Sequence, residues 1–359
     1  MTKTRDKDAF SEYYNQLNKE QRKAVDTVDG PLLVLAGPGT GKTQLLSVRA
    51  ANIVRKKKAS PENILILTFT NAAAGAMRER LAKIIGDDGY DIVVETFHGF
   101  ANSIILESEG AIDFIKERIP LEDVDKVRAI QHILDSEKGA MELRPFGSPY
   151  IHRGEIESRI SELKNEGISP GEFKAEVKRL KPYGDVLEDK DITRLKALSA
   201  IYERYEKLKL GGKDSLFDER GRYDTDDMIL IALEALKSEK ELRESFRREY
   251  KYIMVDEYQD TNGAQLELLF SVMDPANPNL CCVGDDDQAI YRFQGATLSN
   301  FRVLRKRLPE VKTISLVNNY RSTGDITDVS GRIISQLPEE ERMDVKKLKS
   351  CRDYDKRDI

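Results

Sequence analysis

Short apolar runs recur along the chain at Leu32–Leu35, Ile64–Phe69, Ile92–Thr96, Tyr252–Val255 and Leu280–Val283. They are rich in branched residues and lack an in–out alternation, which predicts strands buried on both faces. Between several of them the period lengthens to that of a helix. In Asn71–Ile85, the residues Ala73, Met77, Leu81 and Ile84 fall on one face. Strands that alternate with helices predict an α/β fold, with a parallel sheet covered on both faces. Ligands of such sheets bind beyond the carboxyl ends of the strands.

The pattern changes between about Ala101 and Arg222. This stretch is charged and helical by period, as in Arg159–Leu163, Phe173–Leu180 and Ile192–Leu208. Its breaks carry Pro145, Gly147, Pro149, Gly167, Pro170, Gly171, Gly211 and Gly212. The expectation is an α/β domain formed by residues 1–100 and 223–299, interrupted by a helical subdomain at 101–222. After Asn300 a new α/β pattern starts, with a strand near Thr313–Leu316, and Glu339–Ile359 reads as a charged tail. Residues 300–359 therefore read as the incomplete start of a further domain.

Composition narrows the class only a little. With 359 residues there is room for two or three domains, and no apolar run approaches the length of a membrane span. Met1–Phe10 alternates charges and lacks the apolar core of a secretory signal. Three cysteines, two of them adjacent at Cys281 and Cys282, make no disulfide framework and suit a cytoplasmic protein. In a core strand those two behave as small hydrophobes. The net charge of −5 neither supports nor excludes nucleic acid, because a local basic groove can sit on an acidic protein. The run Arg55–Lys58 reads as a solvated helix end rather than a phosphate contact.

Candidate chemistry begins directly after the first apolar run. Ala36-Gly37-Pro38-Gly39-Thr40-Gly41-Lys42-Thr43 joins that strand to a helix, the context in which a Walker A match carries weight. Small residues let backbone N–H groups turn inward onto phosphate oxygens, and the helix N-terminus adds its dipole. Lys42 would reach the β- and γ-phosphates, and the Thr43 hydroxyl would ligate Mg²⁺. Ala36 stands where the strict pattern has Gly, a change its small side chain tolerates. A partner carboxylate is expected at another strand end, and Tyr252–Val255 runs into Asp256-Glu257. Asp256 would hold Mg²⁺ and Glu257 would orient or deprotonate the attacking water. By itself that triplet equally describes a strand ending in a solvated acidic turn. Together the two segments point to nucleoside triphosphate hydrolysis.

Further segments make the pattern more specific. Leu17-Asn18-Lys19-Glu20-Gln21 precedes the first strand, Thr68-Phe69-Thr70-Asn71-Ala72-Ala73-Ala74 follows the second, and Thr96-Phe97-His98-Gly99-Phe100 follows the third. Val255-Asp256-Glu257-Tyr258-Gln259-Asp260-Thr261-Asn262, Val283-Gly284-Asp285-Asp286-Asp287-Gln288-Ala289-Ile290-Tyr291-Arg292-Phe293-Gln294-Gly295-Ala296 and Asn319-Tyr320-Arg321-Ser322-Thr323 come later. In order and type these resemble the successive motifs of UvrD/Rep/PcrA-type superfamily 1 DNA helicases, from about Leu17 to Thr323. The resemblance implies a RecA-like P-loop NTPase sheet, an inserted helical subdomain and the start of a second RecA-like domain. It implies ATP and Mg²⁺ as cofactors, 3′→5′ movement on single-stranded DNA, and single-strand/duplex junctions as substrates. Gln21 resembles the adenine reader, Tyr320 the ring beside the adenine, and Gln288 the γ-phosphate sensor. Arg321 resembles an arginine finger delivered from the second domain. Phe69, Tyr291 and Phe293 resemble base-contacting aromatics, and Thr68, Thr70, Asn71 and His98 resemble polar contacts to DNA. Phe69 also fits a core position, and His98 a hydrogen-bonded core histidine.

Three departures bear on function. Phe293 stands where relatives often have Trp, a change that keeps an aromatic face. Ala72 stands where the family often has Lys, which predicts weaker and less salt-dependent DNA binding. Gln294 stands at a position that is often Arg, which predicts looser coupling of DNA binding to hydrolysis. Gly324–Ile359 matches none of the family's later motifs. The expectation is thus the ATP-binding portion of a helicase, its second domain largely absent through truncation, a fragmentary gene or degeneration. The alternatives are a nucleotide- and DNA-binding module that does not unwind, and a P-loop enzyme of another class such as a nucleotide kinase.

Overall fold

The structure is a computed structural model that describes residues 3–184, 186–212, 216–217, 220–288, 298–336 and 346–352. Among these the strands are β1 (Leu32–Ala36), β2 (Ile64–Thr68), β3 (Val93–Thr96), β4 (Arg118–Pro120), β5 (Gly221–Tyr223), β6 (Tyr252–Val255), β7 (Leu280–Gly284), β8 (Lys312–Leu316), β9 (Asn318–Asn319) and β10 (Lys349–Ser350). Six form one sheet in the order β3-β2-β6-β7-β1-β8, every pair parallel. The α/β reading therefore holds. The four inner strands are buried at every position, which is why they read as unbroken apolar runs. The edge strands β3 and β8 keep exposed or half-buried positions.

Helices Lys42–Arg55 and Asn71–Ile85 cover the sheet and share its core. The second has the bounds its period predicts, but its inner face is Ala74, Met77, Leu81 and Ile84, so Ala74 takes the place expected for Ala73. Cys281 and Cys282 are buried free thiols, and burial pushes both up from the ordinary thiol range. Among the described residues no helix is long and apolar enough to cross a membrane.

The chain divides into two compact units. The first runs to Phe100 and resumes at Glu239, and the second is Ala101–Ser238. The second unit is helical, with Ile130, Ile133, Ile156, Ile160, Ile201 and Tyr202 in its core. It extends past the expected boundary at 222, for a physical reason. Lys164 contacts Asp224 at 2.6 Å and Asp227 at 2.8 Å, and Lys209 reaches Asp227 at 2.6 Å. Glu206 completes this buried group of two ammoniums and three carboxylates, which ties 224–227 into the helical unit.

The strand expected to open a further domain instead completes the first sheet. β8 pairs with β1 from Leu32↔Lys312 to Ala36↔Leu316. Its Ile314 and Leu316 enter the common core, while Lys312 and Thr313 face solvent at the edge.

Candidate functional site

Because all six strands of the large sheet are parallel, their carboxyl ends line one edge. The loops after β1, β6 and β7 bring the candidate nucleotide groups there, and those after β2 and β3 bring the candidate DNA groups.

After β1 the chain turns through Gly39 (φ 70°) and Gly41 (φ 84°) into the helix that starts at Lys42. A Cβ on Gly39 would stand 2.6 Å from Cβ of Arg321, so this position needs glycine for both its backbone and its space. Inside the loop the Thr40 hydroxyl donates to the Gly37 carbonyl at 2.7 Å. Lys42 lies against the loop after β6, its Nζ 2.6 Å from Oε2 of Glu257. The Thr43 hydroxyl donates to Oδ2 of Asp256 at 3.4 Å. Residues more than 200 positions apart in sequence thus meet at one sheet edge.

Burial pushes the Asp256 carboxyl up to about 6, the charge of Glu257 adds to this, and hydrogen bonds and Lys42 pull against it. A cation beside Asp256 would reverse that balance. The Thr43 hydroxyl and the Asp256 carboxylate are both hard oxygen donors, which fits Mg²⁺. Glu257 is itself unusual, with a left-handed backbone (φ 49°, ψ 45°) that non-glycine residues seldom adopt. Such strain at a candidate base is a common mark of a functional turn.

Gln21 is buried, and its amide is held from both sides. Its Nε2 donates to the Thr40 carbonyl at 2.8 Å, and its Oε1 accepts from the Asn18 backbone at 2.8 Å in a capping box. The Asn18 side chain in turn donates to the hydroxyl of the half-exposed Tyr320 at 2.9 Å. The two residues assigned to adenine are therefore linked through Asn18.

The Asn319–Arg321 turn docks directly on the phosphate loop, within the first compact unit. Tyr320 N donates to the Gly39 carbonyl at 2.9 Å, and Nδ2 of Asn319 donates to the Pro38 carbonyl at 2.8 Å. Arg321, expected to arrive from a second domain, is exposed on this turn. Gln288 donates through Nε2 to Oδ2 of Asp285 at 2.5 Å, at the end of β7.

β2 and β3 are neighbours in register, with Thr68 opposite Thr96, so the segments that carry Phe69 and His98 leave adjacent strand ends. The rings of Phe69 and Phe97 lie 5.5 Å apart. Thr70 and Asn71 are exposed, and the Thr70 hydroxyl also caps the following helix by accepting from Ala73 N. Thr68 differs from expectation. It is buried, and its hydroxyl faces the backbone carbonyls of Thr70 at 3.2 Å and Glu95 at 3.4 Å, which makes it an anchor of the loop. Tyr291, Phe293 and Gln294 lie outside the described residues.

Three residues join the site without having been singled out by the sequence. Asn319 lay inside a quoted motif, and its signal was an Asn at a tight turn. Gln259 links Glu257 to Asp285. Lys346, from the segment read as a charged tail, is buried and ion-paired with Asp285 at 2.5 Å and with Asp286. From the same segment, Leu348 packs on Gly37, and β10 pairs with β9.

A strand–loop–helix cradle built from β1, with a lysine and a hydroxyl, facing an Asp–Glu pair after β6 across the intervening β7 of a parallel sheet, defines a P-loop nucleotide-binding domain. The chain belongs to the UvrD/REP helicase N-terminal domain family, which it matches over residues 17–309. It is 36% identical over 318 residues to the ATP-dependent DNA helicase PcrA of Bacillus subtilis, covering 89% of this chain and 39% of that protein. It is 34% identical over 325 residues to the protein of that name from Staphylococcus aureus, covering 90% of this chain and 40% of that protein. The chain thus spans about two fifths of the length of the curated relatives it matches.

Proposed function

We propose that this chain binds and hydrolyses ATP with Mg²⁺ as the motor portion of an ATP-dependent DNA helicase, moving 3′→5′ on single-stranded DNA and acting at single-strand/duplex junctions. The observation that carries the reading is the meeting of Lys42 with Glu257 and of Thr43 with Asp256 at one sheet edge. In this reading Gly37–Thr43 cradle the triphosphate, Gln21 and Tyr320 take the adenine, and Thr43 and Asp256 hold the metal. When bound, Mg²⁺ supplies charge neutralisation at the phosphates. Glu257 is the base, Gln288 the phosphate sensor and Arg321 the cation at the transferring phosphoryl group. Phe69, Thr70, Asn71 and His98 form the single-strand surface, to which Tyr291 and Phe293 add aromatic faces. Residues 101–238 act as an inserted accessory subdomain. A reducing cytoplasm suits the buried thiols of Cys281 and Cys282.

The test is ATP turnover with and without single-stranded DNA, beside Lys42→Ala and RNA of the same sequence. The expected result is slow hydrolysis that rises with DNA more than with RNA and disappears in Lys42→Ala. A chain that binds neither an ATP analogue nor DNA would refute the reading.

A further inference from the structure

Gln259 is 3% exposed and lies on the short turn between the acidic strand end and the following helix. Both ends of its amide are engaged. Nε2 donates to Oε2 of Glu257 at 2.8 Å, and Oε1 accepts from the backbone N–H of Asp285 at 2.9 Å. Asp285 accepts from Gln288 through its carboxylate. One buried side chain therefore spans from the candidate base to the turn that carries the candidate phosphate sensor.

The surrounding packing supports that bridge. A Cβ on Gly284 would meet Oε1 of Gln259 at 2.8 Å and the backbone nitrogens of Gln259 and Tyr258 at 3.0 and 3.1 Å. Only glycine at the end of β7 lets the two loops approach this closely. The turn is held from behind by the Tyr258 hydroxyl, which donates to the Asn300 carbonyl at 3.1 Å, and by Tyr258 packed edge-on against Phe301.

We propose that Gln259 is a positioning residue for ATP hydrolysis, holding the carboxylate of Glu257 in place and tying it to the Asp285–Gln288 turn. This rests on the reading of the site as an ATP hydrolase. Oε2 of Glu257 has two partners, the Lys42 ammonium at 2.6 Å and the Gln259 amide at 2.8 Å. A triphosphate in the loop draws Lys42 toward phosphate oxygens, and the neutral amide remains. An amide suits this task, because it orients the carboxylate without the charge that would weaken it as a base.

The experiment uses the full chain with Gln259→Met, which preserves volume and removes both polar ends, and Gln259→Glu, which keeps an acceptor for Asp285 N and removes the donor to Glu257. Equilibrium binding of a fluorescent ATP analogue and single-turnover hydrolysis are measured for each. Analogue affinity is expected to stay within threefold, while hydrolysis falls at least tenfold. In a Glu257→Asp background, whose shorter carboxylate no longer reaches the amide, Gln259→Met is expected to remove less than a further threefold. A fold loss equal in both backgrounds, or hydrolysis within twofold of the parent, overturns the proposal. If Gln259→Met does not bind the analogue, Gln259→Glu decides alone by the same criteria. Lys42→Ala separates the two failures. If only Lys42→Ala abolishes turnover, the site reading stands and the role of Gln259 is refuted, whereas a parent without analogue binding removes both.

Discussion

Replacing Asn319 by Ala should uncouple Arg321 from the phosphate loop without disturbing the nucleotide cradle itself. The Asn319 side chain is 1% exposed and makes three hydrogen bonds. Nδ2 donates to the Pro38 carbonyl at 2.8 Å, and Oδ1 accepts from the backbone N–H groups of Arg321 at 2.8 Å and Ser322 at 2.7 Å. The first bond docks the turn, and the other two shape it. At about 1 kcal/mol net for each bond, the substitution removes about 3 kcal/mol. With about 1.4 kcal/mol per factor of ten, the population of the turn that is both correctly shaped and docked falls by about a hundredfold. The main-chain bond from Cys351 N to the Asn319 carbonyl at 2.8 Å survives, so the strand stays in place while the turn loosens.

The assay is single-turnover ATP hydrolysis at saturating nucleotide, together with analogue binding. With Arg321 acting as the proposed arginine finger, Asn319→Ala should lower hydrolysis by roughly ten- to a hundredfold, since displacing it forfeits part of its contribution to the transition state. Binding should fall far less, because Lys42 and the loop amides remain. Asn319→Asp separates the two parts of the argument. It keeps the acceptor for Arg321 N and Ser322 N but turns a second oxygen toward the Pro38 carbonyl, so it should preserve the turn and reduce its docking to the main-chain bond from Tyr320 N to the Gly39 carbonyl. If Asn319→Ala hydrolyses ATP within twofold of the parent while Arg321→Ala loses tenfold or more, docking through Asn319 does not position the arginine, and the reasoning fails.

In the helical unit, Lys164→Met should destabilise by about 3–5 kcal/mol at pH 7 in urea titrations, because Asp224 and Asp227 would then share Lys209 alone. Burial pushes the Asp224 carboxyl up, but Lys164 and Lys209 outweigh it and hold it well below the usual range. Its stabilisation is therefore complete above about pH 4 and lost as the pH falls toward the folded-state value. The parent should weaken steeply in acid and Lys164→Met less so, and a change under about 1 kcal/mol at pH 7 would count against a net stabilising role. On the proposed DNA edge, Ala72 is exposed in the first turn of its helix, so Ala72→Lys should tighten single-strand binding and steepen the salt dependence by about 0.7 in log–log slope; an unchanged slope in anisotropy titrations would rule out a phosphate contact there. At the cradle, Glu257→Gln removes the ion pair with Lys42. That pair is partly exposed, so the gain in ATP affinity should be modest, about fivefold at most, and calorimetry showing weaker binding would mean that Glu257 assists binding instead.

What could be read from the sequence followed from which strands are buried on both faces. β1, β2, β6 and β7 lie inside a parallel sheet, so nothing interrupts their apolar runs, and the polar residues after them stand out as ligand loops. β8 was visible as a strand but not as a neighbour of β1, because its edge position leaves only Ile314 and Leu316 buried. Thr68 ends a buried strand, and residue type alone does not show whether its hydroxyl faces solvent or a backbone carbonyl. Lys346 and Lys164 were hidden for a different reason. Each sits in a highly charged segment where most neighbours are solvated, and its partners lie some 60 positions away. A buried ammonium and an exposed one look the same until the fold brings the carboxylates to it. Gln259 was hidden between two acidic residues whose chemistry was more conspicuous.

These contacts give the site a common logic. Its polar groups satisfy one another. Lys42 holds Glu257, Thr43 holds Asp256, and Gln21 holds the Thr40 carbonyl. Each of these bonds must be exchanged for one to the ligand, so binding gains only the difference between two sets of contacts rather than the whole of the new set. The arrangement also keeps buried polar atoms satisfied, which an apolar surround would otherwise penalise. The exchange is selective in what it releases. In the proposed reading Lys42 and Gln21 are drawn to phosphate and base, whereas the Gln259 bridge and the Asn319 turn bond to protein groups. The groups that bind are therefore free to change partners, and the groups that position Glu257 and Arg321 are not. If the site uses nucleotide to drive movement as proposed, it needs that division, because its geometry for hydrolysis must persist while its binding contacts are made and broken.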